Sequence, residues 1–118
     1  MIRIVSINAS SVLNPARFRD MYNLIQSNGV DVTLVQEAGV NDETAKEYEE
    51  QFPKVSIACN ESARRRGGVA IIINNQTTSW SPIEQGEQED WEQFRDDEGR
   101  LLIRRIKSRG REITIGSI

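Results

Sequence analysis

The sequence predicts a mixed α/β layered fold, and three observations carry that expectation. Apolar strand-like runs and amphipathic stretches open the chain in the order β-α-β-α. A series of strand-like segments follows, led by residues 67–73, Gly-Gly-Val-Ala-Ile-Ile-Ile. The 118 residues are 37% hydrophobic and 28% charged, a balance able to bury a core with sheets inside and helices outside.

Each element has a local reason. Residues 2–7 alternate β-branched residues with Arg3 and Ser6 and predict a strand, followed by a Ser/Asn-rich loop over residues 8–14. Asn14-Pro15 starts a helix, because Asn accepts cap hydrogen bonds and Pro loses nothing at the first helical position. Phe18, Met21, Tyr22, Leu24 and Ile25 follow near-helical spacing, and Asn28-Gly29 closes that helix with a left-handed cap. Residues 31–36 predict a strand buried on both faces. Asn41 or Asp42 caps a charged helix to about Gln51, ended by Pro53. A short strand is expected over 55–59, a polar, basic turn over 60–66, and a turn at Asn74-Asn75 after the apolar block. Residues 77–83 predict a further strand. The acidic stretch 84–98, with Trp91 and Phe94 at helical spacing, is read as a solvated loop or short helix pinned by its two aromatics. Residues 101–106 and 112–118 are strands of a β-hairpin turning near Gly110. The last of these strands is apolar up to Ile118, so a continuation of the fold is expected.

Composition narrows the chemistry. No apolar run approaches the roughly 20 residues of a membrane-spanning helix, and the N-terminal apolar segment is too short for a signal peptide. Neither a membrane association nor secretion is expected. The single cysteine, Cys59, cannot form an internal disulfide, fits a reducing intracellular compartment and reads as a small core residue. With no histidine, these residues cannot supply a histidine base, a zinc-finger His pair or a Ser-His-Asp triad. Chemistry within them must rest on carboxylates, a metal ion or groups supplied from elsewhere. The net charge is −3, but residues 84–98 hold eight acids against one arginine, a local −7 that leaves +4 on the rest. The global sign is therefore a poor guide to the partner.

Asn8 follows the first predicted strand and Glu37 the second, with a helix between. Such a β-α-β crossover makes the two strands parallel and brings both residues to the edge where open α/β sheets place ligands. An amide oxygen beside a carboxylate suits Mg2+ or Mn2+. Asn after a strand is also an ordinary turn residue, and Glu there an ordinary solvated one; spacing alone leaves both readings open. Arg64-Arg65-Arg66 is the only compact basic run, a candidate phosphate contact or a solvated turn. Gly67-Gly68 is not a phosphate loop, since no Lys-Ser/Thr and no helix follow.

The blocks Val5-Ser6-Ile7-Asn8, Asp31-Val32-Thr33-Leu34-Val35-Gln36-Glu37 and Arg66 through Ile73 together resemble the opening of the endonuclease/exonuclease/phosphatase superfamily. The Gly-Gly-Val-Ala block and the segments Glu98-Gly99-Arg100 and Gly110 through Ile115 most resemble the endonuclease domain of non-LTR retrotransposons, with apurinic/apyrimidinic endonucleases the nearer cousins among cellular enzymes. The resemblance runs from Ile2 to Ile118 and covers the first part of that family's domain. It implies a four-layer α/β-sandwich of the DNase I-like type, of which residues 1–118 form the N-terminal portion. It also implies Mg2+-dependent (or Mn2+-dependent) hydrolysis of phosphodiester bonds and, in nucleic-acid members, nicking of DNA. Glu37 matches the family's metal-binding glutamate and Asn8 the asparagine that supports the metal and phosphate. Ser10, with Arg64, Arg65 and Arg66, completes the candidate phosphate-binding set.

The sequence departs from that pattern at Ser10 and Ser11, where an acidic or amide residue and then glycine are usual. The family's Tyr loop, its Asp-x-Asn pair and its later Asp and His find no counterpart in these residues, so this chain alone is expected to be inactive. Two other readings stand beside the nuclease: a non-catalytic domain used for binding or self-association through an unfinished sheet edge, and a phosphodiesterase or phosphatase of the same superfamily acting on a non-nucleic-acid substrate. A retrotransposon origin would imply a nuclear location.

Overall fold

The structure, a computed structural model, describes residues 2–9, 14–60, 68–76, 81–82, 93–95, 102–108 and 111–117. Its elements are β1 (Ile4–Asn8), α1 (Pro15–Asn28), β2 (Val32–Gln36), α2 (Asp42–Gln51), β3 (Val55–Asn60), β4 (Val69–Asn74), β5 (Ser81–Pro82), β6 (Gln93–Arg95), β7 (Leu102–Ser108) and β8 (Arg111–Ser117). One sheet has the order β1-β2-β4-β3, with β1 parallel to β2 and the other pairs antiparallel. In the second sheet β7 pairs antiparallel with β5, β6 and β8. Because β8 pairs along the whole of β7, the short strands β5 and β6 share its other edge.

Local chemistry sets both helices. The Asn14 side chain accepts from the Arg17 N–H at 2.9 Å, Pro15 opens α1, and Gly29 closes it at φ 61. Asn41 caps α2 by accepting from the Thr44 N–H at 2.8 Å, with Asp42 and Glu43 in the first turn, where carboxylates favour the helix dipole. α1 buries Phe18, Met21 and Ile25, a narrow stripe one helical face wide. Leu24, expected within the apolar spacing, is 63% exposed because it stands about 120° around the helix from Phe18.

The first sheet is covered on both faces along its inner strands β2 and β4, while edge strand β1 exposes one face. Its Val35, Ala70, Ile72, Val55 and Cys59 pack under the helices with Phe18, Tyr48 and Phe52. The Phe18 ring ties that cluster together, 4.5 Å from Tyr48 and 5.1 Å from Phe52. The sheet's Val32, Ala58, Val69, Ile71 and Ile73 pack on the other side against Ile113 and Ile115 of β8. The period of two along each strand sorts these sets. Full burial of Ile71, Ile72 and Ile73 stabilises by roughly 1.5–3 kcal/mol each, which is why the apolar block sits centrally.

Polar groups hold the far end of this sheet. The Asn74 side chain donates to the Val30 carbonyl at 3.0 Å and accepts from Gln26 at 3.2 Å and the Gln76 N–H at 3.1 Å. Asp31 accepts from the Arg3 N–H at 2.8 Å, while the Arg3 carbonyl accepts from Asp31 and Val32. These bonds explain why β1 starts at Ile4 rather than Ile2: its one strand partner among the described residues, β2, starts opposite it at Val32. The N–H of Ile57, on edge strand β3, is covered by the Glu49 carboxylate of α2 at 2.8 Å.

Other expectations change. Within the acidic stretch, Gln93–Arg95 form a strand paired to β7, with Phe94 opposite Ile103, rather than a loop or helix. Backbone pairing with a distant partner outweighs the helical spacing of two aromatics; Trp91 lies outside the described residues. Of the strand expected over 77–83, the described part is Ser81–Pro82, and Pro82 at a sheet margin costs no ladder bond within a central strand. The hairpin of β7 and β8 closes at the pair Ser108 and Arg111.

Candidate metal and phosphate site

Asn8 is the last residue of β1 and stands opposite Gln36, the last residue of β2, in parallel register. The ladder runs one step further, since the Ala9 N–H donates to the Gln36 carbonyl at 2.9 Å. Glu37 follows at once. Strand spacing and rise therefore bring the Cα atoms of Asn8 and Glu37 within roughly 6 Å of each other. Both residues are exposed.

Glu37 leaves the strand at φ 50, the one described non-glycine residue in the left-handed region. Such a conformation costs a side-chain-bearing residue about 1–2 kcal/mol and breaks the alternation of faces along β2. The next residue, Ala38, is buried and donates its N–H to the Gly68 carbonyl at 3.1 Å; Gly39 then turns at φ 60. The core thus anchors Ala38 and Val40 while Glu37 projects from the bend between strand and anchor.

Three residues at this edge escaped the sequence reading. Ser6 donates its hydroxyl to the Gln36 side-chain oxygen at 3.2 Å. The period of two puts Ser6 and Asn8 on one face, and the register puts Gln36 across from Asn8 on the face shared with Leu34. Asn60, buried, ends β3 opposite Val69, which pairs in turn with Gln36. Asn8, Gln36 and Asn60 thereby lie on one transverse row. The alternation in residues 4–8 signals Ser6, but nothing local signals Asn60, because its place depends on two successive antiparallel pairings.

Ser10, Arg64, Arg65 and Arg66 lie outside the described residues. The anchors of their segments are described: Ala9 and Asn14 flank the first, and Asn60 and Gly68 flank the second. Ala9, Asn60 and Gly68 all stand at the edge that carries Asn8 and Glu37. Cys59 is buried under α2 and donates its S–H to the Asp42 carboxylate at 3.4 Å, as expected of a core thiol. Among the described residues no three His, Cys, Asp or Glu side chains gather as a metal cage. The amide and carboxylate oxygens at the edge do fit magnesium, which takes few protein oxygens and keeps several waters.

Two sheets face to face, helices on the outer side of the first and a polar edge at its strand ends define an α/β fold of the DNase I-like type. The chain is similar to two solved structures in particular. An AP endonuclease from Leishmania major matches with a TM-score of 0.67 and 16% identity over 98% of this chain and 39% of the other. An AP endonuclease from Archaeoglobus fulgidus matches with a TM-score of 0.60 and 22% identity over 97% of this chain and 40% of the other. The chain thus spans about two fifths of the length of these structures. No protein-family profile and no curated protein sequence matches it.

Proposed function

We propose that these residues form the metal- and phosphate-binding edge of a Mg2+-dependent phosphodiesterase that nicks DNA, of the retrotransposon or apurinic/apyrimidinic endonuclease kind. The reading is carried by the parallel β1–β2 register, which sets Asn8 beside an exposed Glu37 at the sheet edge. The likeness of fold to two AP endonucleases supports it.

In this reading the Glu37 carboxylate and the Asn8 amide oxygen hold the cation. When bound, it polarises a phosphoryl oxygen and steadies the leaving group. Ser6 and Gln36 restrict the lateral freedom of the Asn8 side of the site through their mutual hydrogen bond. Ser10 and the run Arg64-Arg65-Arg66 supply phosphate contacts from the two segments that leave this edge. The 118 residues include no histidine, so in this reading the water is activated by a carboxylate, by the metal ion or by a group supplied from elsewhere.

Two measurements test this reading. Titrating the 118-residue chain with Mn2+ should broaden the amide resonances of Asn8, Ala9, Glu37 and Ala38, and Glu37→Ala should abolish the effect. In the natural protein containing these residues, Glu37→Ala should lower Mg2+-dependent nicking of plasmid DNA on the order of a hundredfold or more. Nicking unchanged by that substitution removes Glu37 from the mechanism. Metal binding without nicking by the natural protein favours a non-catalytic domain instead.

A further inference from the structure

We propose that Gly68 is a positioning residue for Glu37, acting through the Ala38 N–H; this rests on the metal reading of Glu37 above. β2 and β4 pair regularly from Val32 opposite Ile73 to Gln36 opposite Val69. Continued without change, that register would oppose Glu37 to Gly68. Instead the Gly68 carbonyl takes the N–H of Ala38, one residue further on, at 3.1 Å. Glu37 is thus an extra residue on the β2 side, left-handed at φ 50. This is the geometry of a β-bulge, a device that re-aims a side chain beside a functional site.

The bulge needs a partner backbone that residues with a Cβ rarely adopt. Gly68 is buried and has φ 94, a conformation open to glycine and strained for any L residue. A side chain at this position would turn the backbone back toward negative φ and carry its carbonyl away from Ala38. The bend would then lose the bond that sets its register, and the Glu37 carboxylate its position beside Asn8. This gives the second glycine of Gly67-Gly68 a role that a phosphate loop does not supply.

The test is chemical synthesis of the 118-residue chain with Gly68 replaced by L-alanine (Gly68→Ala) or by D-alanine. The two add the same methyl group, but only D-alanine accepts positive φ without strain. The L-alanine variant should weaken Mn2+ binding by roughly tenfold and speed hydrogen exchange at the Ala38 amide. The D-alanine variant should leave both near those of the natural chain. Equal losses in the two variants would overturn the proposal, as would an L-alanine variant indistinguishable from the natural chain. If the natural chain binds no Mn2+, the metal reading falls, and exchange at Ala38 still decides whether Gly68 holds the bend. If the L-alanine variant does not fold, an ester in place of the Ala38 amide, with Gly68 intact, removes the same bond. It should weaken Mn2+ binding by roughly fivefold, and unchanged binding would overturn the proposal.

Discussion

Replacing Glu37 by alanine and, separately, by glycine divides the role of its carboxylate from the strain in its backbone. Both variants lose the carboxylate and, in the proposed mechanism, the metal. They differ only at Cβ. At φ 50 a residue with a Cβ carries about 1–2 kcal/mol of local strain that glycine escapes. Glycine gives back about 0.4–1 kcal/mol through the greater freedom of its unfolded chain. The exposed side chain contributes little packing, so truncation adds no cavity. The balance makes Glu37→Gly more stable than Glu37→Ala by about 1 kcal/mol, or about 4 °C in Tm for a domain of this size. Urea unfolding followed by circular dichroism measures the difference, with equal m values required for the comparison. Mn2+ titration of the same samples reports the loss of binding. A glycine variant no more stable than the alanine variant would refute stored strain at this bend. A stabilised variant that no longer binds metal is the expected mark of a site held away from its local optimum.

Two further outcomes follow from single buried groups. Thr33 is fully buried and its hydroxyl has no hydrogen-bond partner among the described residues, so Thr33→Val should stabilise by about 1–2 kcal/mol; an unchanged or lowered urea midpoint would contradict this. Burial, and secondarily the Glu47 charge, raises the Tyr48 hydroxyl above its ordinary value of 10.0. A raised folded pKa means that the unfolded chain loses its proton first, so stability is whole below about pH 10 and falls as pH rises from there. Tyr48→Phe should flatten that decline above about pH 10, and an unaltered slope in urea midpoints would exclude Tyr48 as its source.

Much of the first sheet and both helices was legible in the sequence, because their signals are local. Asn14, Pro15 and Gly29 mark the ends of α1 by what their own backbones and side chains do. Asn41 does the same for α2. A helix between two apolar runs sufficed to make β1 and β2 parallel, and that relation brings Asn8 and Glu37 to one edge. Within the acidic stretch, Gln93–Arg95 differ from the expected loop or helix because β6 pairs with β7, and no window around Phe94 contains that partner. Leu24 has the spacing of the apolar face, yet it stands about 120° around the helix from Phe18 and stays 63% exposed.

Residue order alone determined which segments become helix or strand near the N-terminus, and which oxygen-bearing side chains follow two adjoining strands. Those choices depend on backbone preferences and hydrophobic period within a few residues. Tertiary structure decided the rest of the edge: Asn60 on the row of Gln36, the left-handed bend at Glu37, and the Gly68 carbonyl that fixes it. Each depends on how strands distant in sequence register against one another, and a shift of one residue in that register would turn every side chain to the opposite face.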